Sequence, residues 1–223
     1  MIIEGLNDFT AEIIRVWNTQ MLSLRTVEHL YMFFFALFFS ILIGVVTGVL
    51  TYRNQKLAGP VLNGLNVVET VPDVALLVLL LPIFGIGAAP TIVASILYSI
   101  LPIARNTYTG LSNVPREYIE IAEALGLTPP REVLFKVRFP PLSLPLVAGG
   151  VRIAVVFTMG GCNPWRSDCC RRAWGLPFRT EFNSMIWAQS LLRVPGWGLL
   201  AVLLDGIAGI IEKILKARYG TWS

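Results

Sequence analysis

The sequence predicts an all-α polytopic membrane protein with about five transmembrane helices, and three observations carry that prediction. Of 223 residues, 55% are hydrophobic and only 14% charged, with a mean hydropathy of +0.66. A soluble domain is typically about one quarter charged. The apolar residues come in runs of the length that crosses a bilayer, which needs about 20 of them in a helix. The basic residues gather in the connections between alternate runs, as the positive-inside rule requires of cytoplasmic loops. That placement also accounts for the net charge of +4 without a nucleic-acid partner.

Residues 31–52, "YMFFFALFFSILIGVVTGVLTY", form the first span, and Arg53 and Lys56 follow it. A second apolar region runs from Val61 to Ile86. Pro72 lies inside it, and a residue with no amide hydrogen and a clashing ring should kink the helix there. Glu69 and Asp73 flank the kink. Ionisable groups at membrane depth are costly and face protein or a water-filled path. These three residues are therefore candidates for a translocation pathway, with placement at the membrane interface as the alternative.

A third span is expected from Pro90 to Ala104, and a fourth from Pro145 to Gly161. Between them lie Arg105, Arg116, Arg131, Lys136 and Arg138, which mark a cytoplasmic loop over 105–140. A fifth span, Gly198 to Ile211, ends in the basic "EKILKAR". The charge rule then places the N-terminal segment, 1–27, outside and the C-terminus inside. The membrane domain itself is 28–218. The N-terminal segment is mixed and acidic, with no basic stretch before an apolar core, so it does not read as a cleaved signal.

The loop contains "NVPREYIEIAEALGLTPPREVLFKVRFPPL". Residues 115–125 read as a short helix with acidic residues towards its start, which the helix dipole favours. Gly126 ends it, because glycine takes the left-handed geometry of a helix C-terminus freely. Pro129 and Pro130 block continuation, and "REVLFKVRF" forms a second helix leading back to the membrane. The result is a rigid cytoplasmic helix–turn–helix suited to docking a soluble partner.

This segment resembles the EAA loop of ABC-importer permeases: E-A-A, three residues, glycine, about nine residues, then I-x-L-P. Glu120, Ile121 and Ala122 stand for E-A-A, Gly126 for the glycine and Pro140 for the final proline. Ile121 departs from the middle alanine, Phe139 from the leucine, and the spacing to the proline is one residue longer. The stretches "VVETVPDVALLVLLLPIFGIG", "YSILPIARNTYTGLSNVP" and "LPLVAGGVRIAVVFT" are similar to permeases for glycine betaine, carnitine and choline. The resemblance covers about residues 28–161 and 198–218.

That resemblance implies an ATP-driven importer of osmoprotectants. Two permease chains, alike or different, line the path, and cytoplasmic ABC ATPase subunits dock on the loops at Glu120, Ile121, Ala122, Gly126 and Pro140. An extracytoplasmic solute-binding protein delivers the solute and holds its quaternary ammonium in aromatic faces; no such cage is assigned to this chain. ATP and Mg belong to the ATPase, since this sequence has no G-x-x-x-x-G-K-[ST] loop. No catalytic residue, cofactor or metal is expected here. An amino-acid importer such as a methionine permease is the alternative within the class, and an ATPase-independent channel the alternative outside it.

One stretch breaks the pattern. Residues 162–197 hold Cys162, Cys169 and Cys170, which are all three cysteines, with four of six tryptophans and five arginines. The cysteines lack the paired spacing of a zinc site. An arginine at mid-membrane costs about 2.5–3.5 kcal/mol on insertion scales. The genetic code supplies a reading. Codons begun one base late at Cys162 permit "VTLGGLIAAGGLG", and Trp165-Arg166 then force glycine. Further one-base slips at Gly175 and after Trp197 restore the written frame. We therefore expect 162–197 to be frame-shifted sequence at the end of span four and start of span five. His29, the only histidine, opens the first apolar run and is expected at the membrane interface.

Overall fold

The computed structural model describes residues 22–126, 143–161 and 185–219. Among them the chain is helical. The elements are α1 (Leu22–Arg53), α2 (Gln55–Thr70), α3 (Asp73–Phe84), α4 (Ala88–Ser112), α5 (Arg116–Ala124), α6 (Leu144–Gly161) and α7 (Met185–Tyr219). Three of these, α1 from Thr26, α4 and α6, are long and apolar enough to cross a bilayer, and a fourth crossing is reached if the α2–α3 pair is one broken span. The expected fifth span, 198–211, lies within α7.

Helix α4 is the centre. It packs against α1, α2, α3 and α6, while α7 rests on α6. Lipid tails are as apolar as the helices, so association depends on close packing and small residues. Gly44 and Gly48 on α1 meet that need. A Cβ on Gly44 would lie 2.7 Å from the Ile103 Cβ, and one on Gly48 would lie 2.5 Å from the Thr107 Cβ and 2.8 Å from the Ala104 carbonyl. Gly150 on α6 does the same from the other side, with a Cβ falling 2.8 Å from both the Asn106 Cβ and the Pro102 carbonyl oxygen. Between these contacts the Ser99 and Thr158 hydroxyls, both fully buried, bond each other at 2.7 Å. Phe33 of α1 packs with Val155 and Met159 of α6. Apolar residues such as Phe34, Phe38, Val202 and Ile210 remain exposed, as lipid-facing positions should.

The second apolar region is two helices rather than one kinked helix. Helix α2 stops at Thr70, α3 starts at Asp73, and their axes bend by 101°. Pro72 is the reason. It pushes Val71 into extended backbone (φ −69°, ψ 126°), since a residue before proline avoids helical geometry. It then stands immediately before α3, where a missing amide hydrogen costs nothing. Leu76, Leu77, Leu80 and Leu81 seat α3 against Ala94 of α4.

Two other boundaries shift. Helix α4 continues eight residues past Ala104, so Arg105 is still helical and its guanidinium donates to the Asn66 side chain of α2 at 2.9 Å. His29, expected at the membrane interface, is instead buried, with its Nε2 3.0 Å from the Met159 sulfur. The side chain turns inward because α6 crosses α1 at that level. The N-terminal segment before residue 22, the second loop helix, Pro140 and the three cysteines lie outside the described residues.

Replacing Gly48 by leucine should force α1 off α4, an overpacking cost on the order of 1–3 kcal/mol. The expected outcome is a several-fold loss of folded protein in the membrane fraction, measured by fluorescence-detected gel filtration in detergent. Gly59 has open space around it, and Gly59→Ala should leave the yield unchanged.

Candidate functional site

The helix break builds a site. Glu69 lies one residue before the end of α2 at Thr70 and Asp73 begins α3, so the break of two residues between the helices brings two carboxylates to one cavity of about 280 Å³. Asp73 sits in the first turn of α3, where the helix dipole favours an anion. Ser95 and Tyr98 of α4, one turn apart, form another wall, and Phe157 and Gly161 of α6 close it. The Tyr98 hydroxyl donates to the carbonyl of Val71, which pins the break against α4 and fixes the ring. Gly161 is required here, because a Cβ would fall 2.4 Å from the Ser95 oxygen.

Phe157 also lines a second cavity of about 510 Å³, together with Asn106, Gly149, Arg152, Asp205 and Lys216. Positions 149, 152, 153, 156, 157 and 161 repeat at the spacing of one helix face. A single face of α6 thus borders both cavities, with Phe157 between them. In the larger cavity Arg152 makes a two-pronged bond to Asp205 on α7, Nε to Oδ1 at 2.8 Å and Nη2 to Oδ2 at 2.9 Å. Its third nitrogen reaches Glu212 at 3.4 Å, and Lys216 donates to Glu212 at 2.6 Å. Two cations and two carboxylates leave the group neutral.

The loop helix α5 lies apart from both cavities in the chain. Arg116 and Glu120 pair at 3.2 Å on its exposed side. Ala122 is buried at 3% exposure, while Ile121 and Leu125 are 58% and 77% exposed. With Tyr118 they form an apolar strip at helical spacing on a short, otherwise charged helix. Gly126 has φ +84° and its amide closes the helix onto the Glu123 carbonyl at 2.9 Å. Nothing lies within 4 Å of a Cβ there, so backbone conformation alone requires glycine.

The profile of the binding-protein-dependent transport system inner membrane component matches residues 11–163. The chain belongs to this family. It is therefore a multi-pass component of a membrane transport system. Among relatives of this family member, the glycine betaine/carnitine/choline transport system permease protein OpuCB of Bacillus subtilis is 36% identical over 64% of this chain and 65% of its own length. The choline transport system permease protein OpuBB of the same organism is 34% identical over 64% and 65%. The osmoprotectant import permease protein OsmW of Salmonella typhimurium is 38% identical over 64% and 68%. The match thus spans just under two thirds of the first two relatives. An inward-facing structure of the MetNI methionine ABC transporter superposes with a TM-score of 0.66 at 24% identity, covering 89% of this chain and 96% of that one, and shares the fold.

The structure brings Glu69 and Asp73 together and leaves Pro72 exposed outside the cavity. Glu120, Ile121, Ala122 and Gly126 cluster on α5 and its end. Sequence reasoning missed Ser95, Tyr98 and Phe157, which look like ordinary span residues and acquire meaning only from the neighbouring helices. It also missed Arg152 and Asp205, although a charge inside an apolar run is a readable signal.

Reversing one member of the α6–α7 pair, Arg152→Asp, should leave three carboxylates facing each other and lower membrane yield. Adding Asp205→Arg should restore the yield, as measured by the same detergent gel filtration. Failure of the swap to rescue would show that the pair does not hold α7.

Proposed function

We propose that this chain is the permease subunit of an ATP-driven ABC importer for glycine betaine, choline, carnitine or a related osmoprotectant. Relatives named for those solutes, at 34–38% identity, carry the reading. The methionine transporter at 24% identity supports the fold and not its solute. The N-terminus lies outside and the C-terminus in the cytoplasm, which the basic ends after Arg53 and Lys213 support. A second permease chain completes the path, a binding protein delivers the solute, and separate ATPase subunits hold ATP and Mg.

In this reading α5 is the lever. Its exposed strip of Tyr118, Ile121 and Leu125 seats in the ATPase, and Glu120, Ala122 and Gly126 set its shape, with Pro140 leading the chain back. Only Asn113, Val114 and Pro115 separate α5 from α4. A displacement of α5 therefore passes to α4, and α4 touches each of the described helices that wall the small cavity. Expressed with its partner subunits in a host lacking its own importers, the chain should drive uptake of labelled choline. Excess glycine betaine or carnitine should suppress that uptake, and methionine should not. Competition by methionine alone would refute the solute, and ion current through the purified chain alone would refute the importer.

Within this permease the written stretch 162–197 is frame-shifted. The family match ending at residue 163, one residue past Cys162, supports that reading. Resequencing the gene across codons 158–200 should remove three extra bases. A "CNPWRSDCCRR" peptide recovered by mass spectrometry from a chain that transports would disprove it.

A further inference from the structure

The geometry points to the cavity at the helix break as a binding site within the permease for the ammonium end of the solute, with Glu69, Asp73, Tyr98 and Phe157 around the cation and Ser95 bonding an oxygen on its tail. The inference rests on the osmoprotectant reading for the solute but not for the cation site. Two carboxylates alone would not make a site. The second observation is Ser95. It is 1% exposed, lines the cavity, and its hydroxyl has no hydrogen-bond partner among the described residues. A buried hydroxyl left unmet is costly unless something fills the space beside it. No polar atom of the described residues meets it; a bound solute would.

The chemistry of the walls selects the occupant. Glu69 and Asp73 supply negative charge, and no lysine or arginine is among the described residues that line this cavity. Tyr98 and Phe157 supply aromatic faces, which attract cations through the ring quadrupole and do so more strongly where water is excluded. A small anion is repelled, and a neutral apolar molecule would leave the carboxylates desolvated. A small organic cation meets both features. A volume of about 280 Å³ is just below the usual range for drug-sized ligands, roughly 300–1,000 Å³, and so suits a small solute. Choline offers a hydroxyl, and betaine and carnitine a carboxylate, to the Ser95 proton. Phe157 belongs to the wall of the next cavity too.

Equilibrium binding of labelled tetramethylammonium and labelled choline to the full chain, assembled with its partners in nanodiscs without the binding protein, tests this. Both should bind the wild type, and 3,3-dimethylbutan-1-ol, the neutral isostere of choline, should not compete. Glu69→Gln with Asp73→Asn should weaken both probes about tenfold or more. Phe157→Leu should weaken both, and Phe157→Tyr should retain binding, which separates loss of the ring from misfolding. Ser95→Ala should weaken choline several-fold and leave tetramethylammonium within twofold, because the latter has no oxygen. Wild-type failure to bind tetramethylammonium, or unchanged affinity in the Glu69/Asp73 double variant, would overturn the site. Equal loss of both probes in Ser95→Ala would overturn the assignment of Ser95. Tetramethylammonium binding without uptake of choline, betaine or carnitine would uphold the site and reject the solute reading instead.

Discussion

Close approach at α4 is the constraint from which the rest of the structure follows. In a bilayer the hydrophobic effect sorts helices into the lipid but does not draw them to one another. Contact has to come from backbones near enough for dispersion and for buried hydroxyl bonds. Gly44 and Gly48 let α1 reach α4, and Gly150 lets α6 reach it from the opposite side. Because both neighbours sit this close, the Ser99–Thr158 bond forms and Phe33 of α1 meets Val155 of α6. The same approach leaves only Gly161 able to pass Ser95, and so sets the depth of the small cavity.

The charged groups follow a similar logic. Glu69 and Asp73 are tolerated because the break at Val71–Pro72 turns them away from lipid into a cavity walled by α4 and α6. Arg152 is tolerated because α7 brings two carboxylates to it with good geometry. One face of α6 therefore runs from an acidic cavity to a balanced ionic one, with an aromatic ring at the boundary.

The short connection from α4 to α5 ties this interior to the loop helix. Three residues, one of them proline, leave little slack, and Gly126 gives α5 a defined end. A rigid nine-residue helix on a short tether transmits displacement better than a flexible loop would.

Much of this was legible in the chain itself. Hydropathy fixes the class and the spans over α1, α4 and α6, because burial in lipid depends on composition over about twenty residues and little else. Gly126 and the helix before it were readable because a turn requiring positive φ is a local demand. The kink at Pro72 was readable as a disturbance, but not as a full break, since that depends on how α3 seats against Ala94. The site was half legible. Glu69 and Asp73 announce themselves by charge. Ser95, Tyr98, Phe157 and Gly161 do not, because a serine or a phenylalanine in a span is unremarkable until another helix arrives beside it. The inward turn of His29 and the partners of Arg152 were decided in the same way. Sequence alone determined the membrane class, the spans over α1, α4 and α6 and how the loop helix ends, all being local balances of transfer energy and backbone geometry. Only the tertiary structure decided which side chains meet, because that depends on helix crossings set by glycines far apart in the chain.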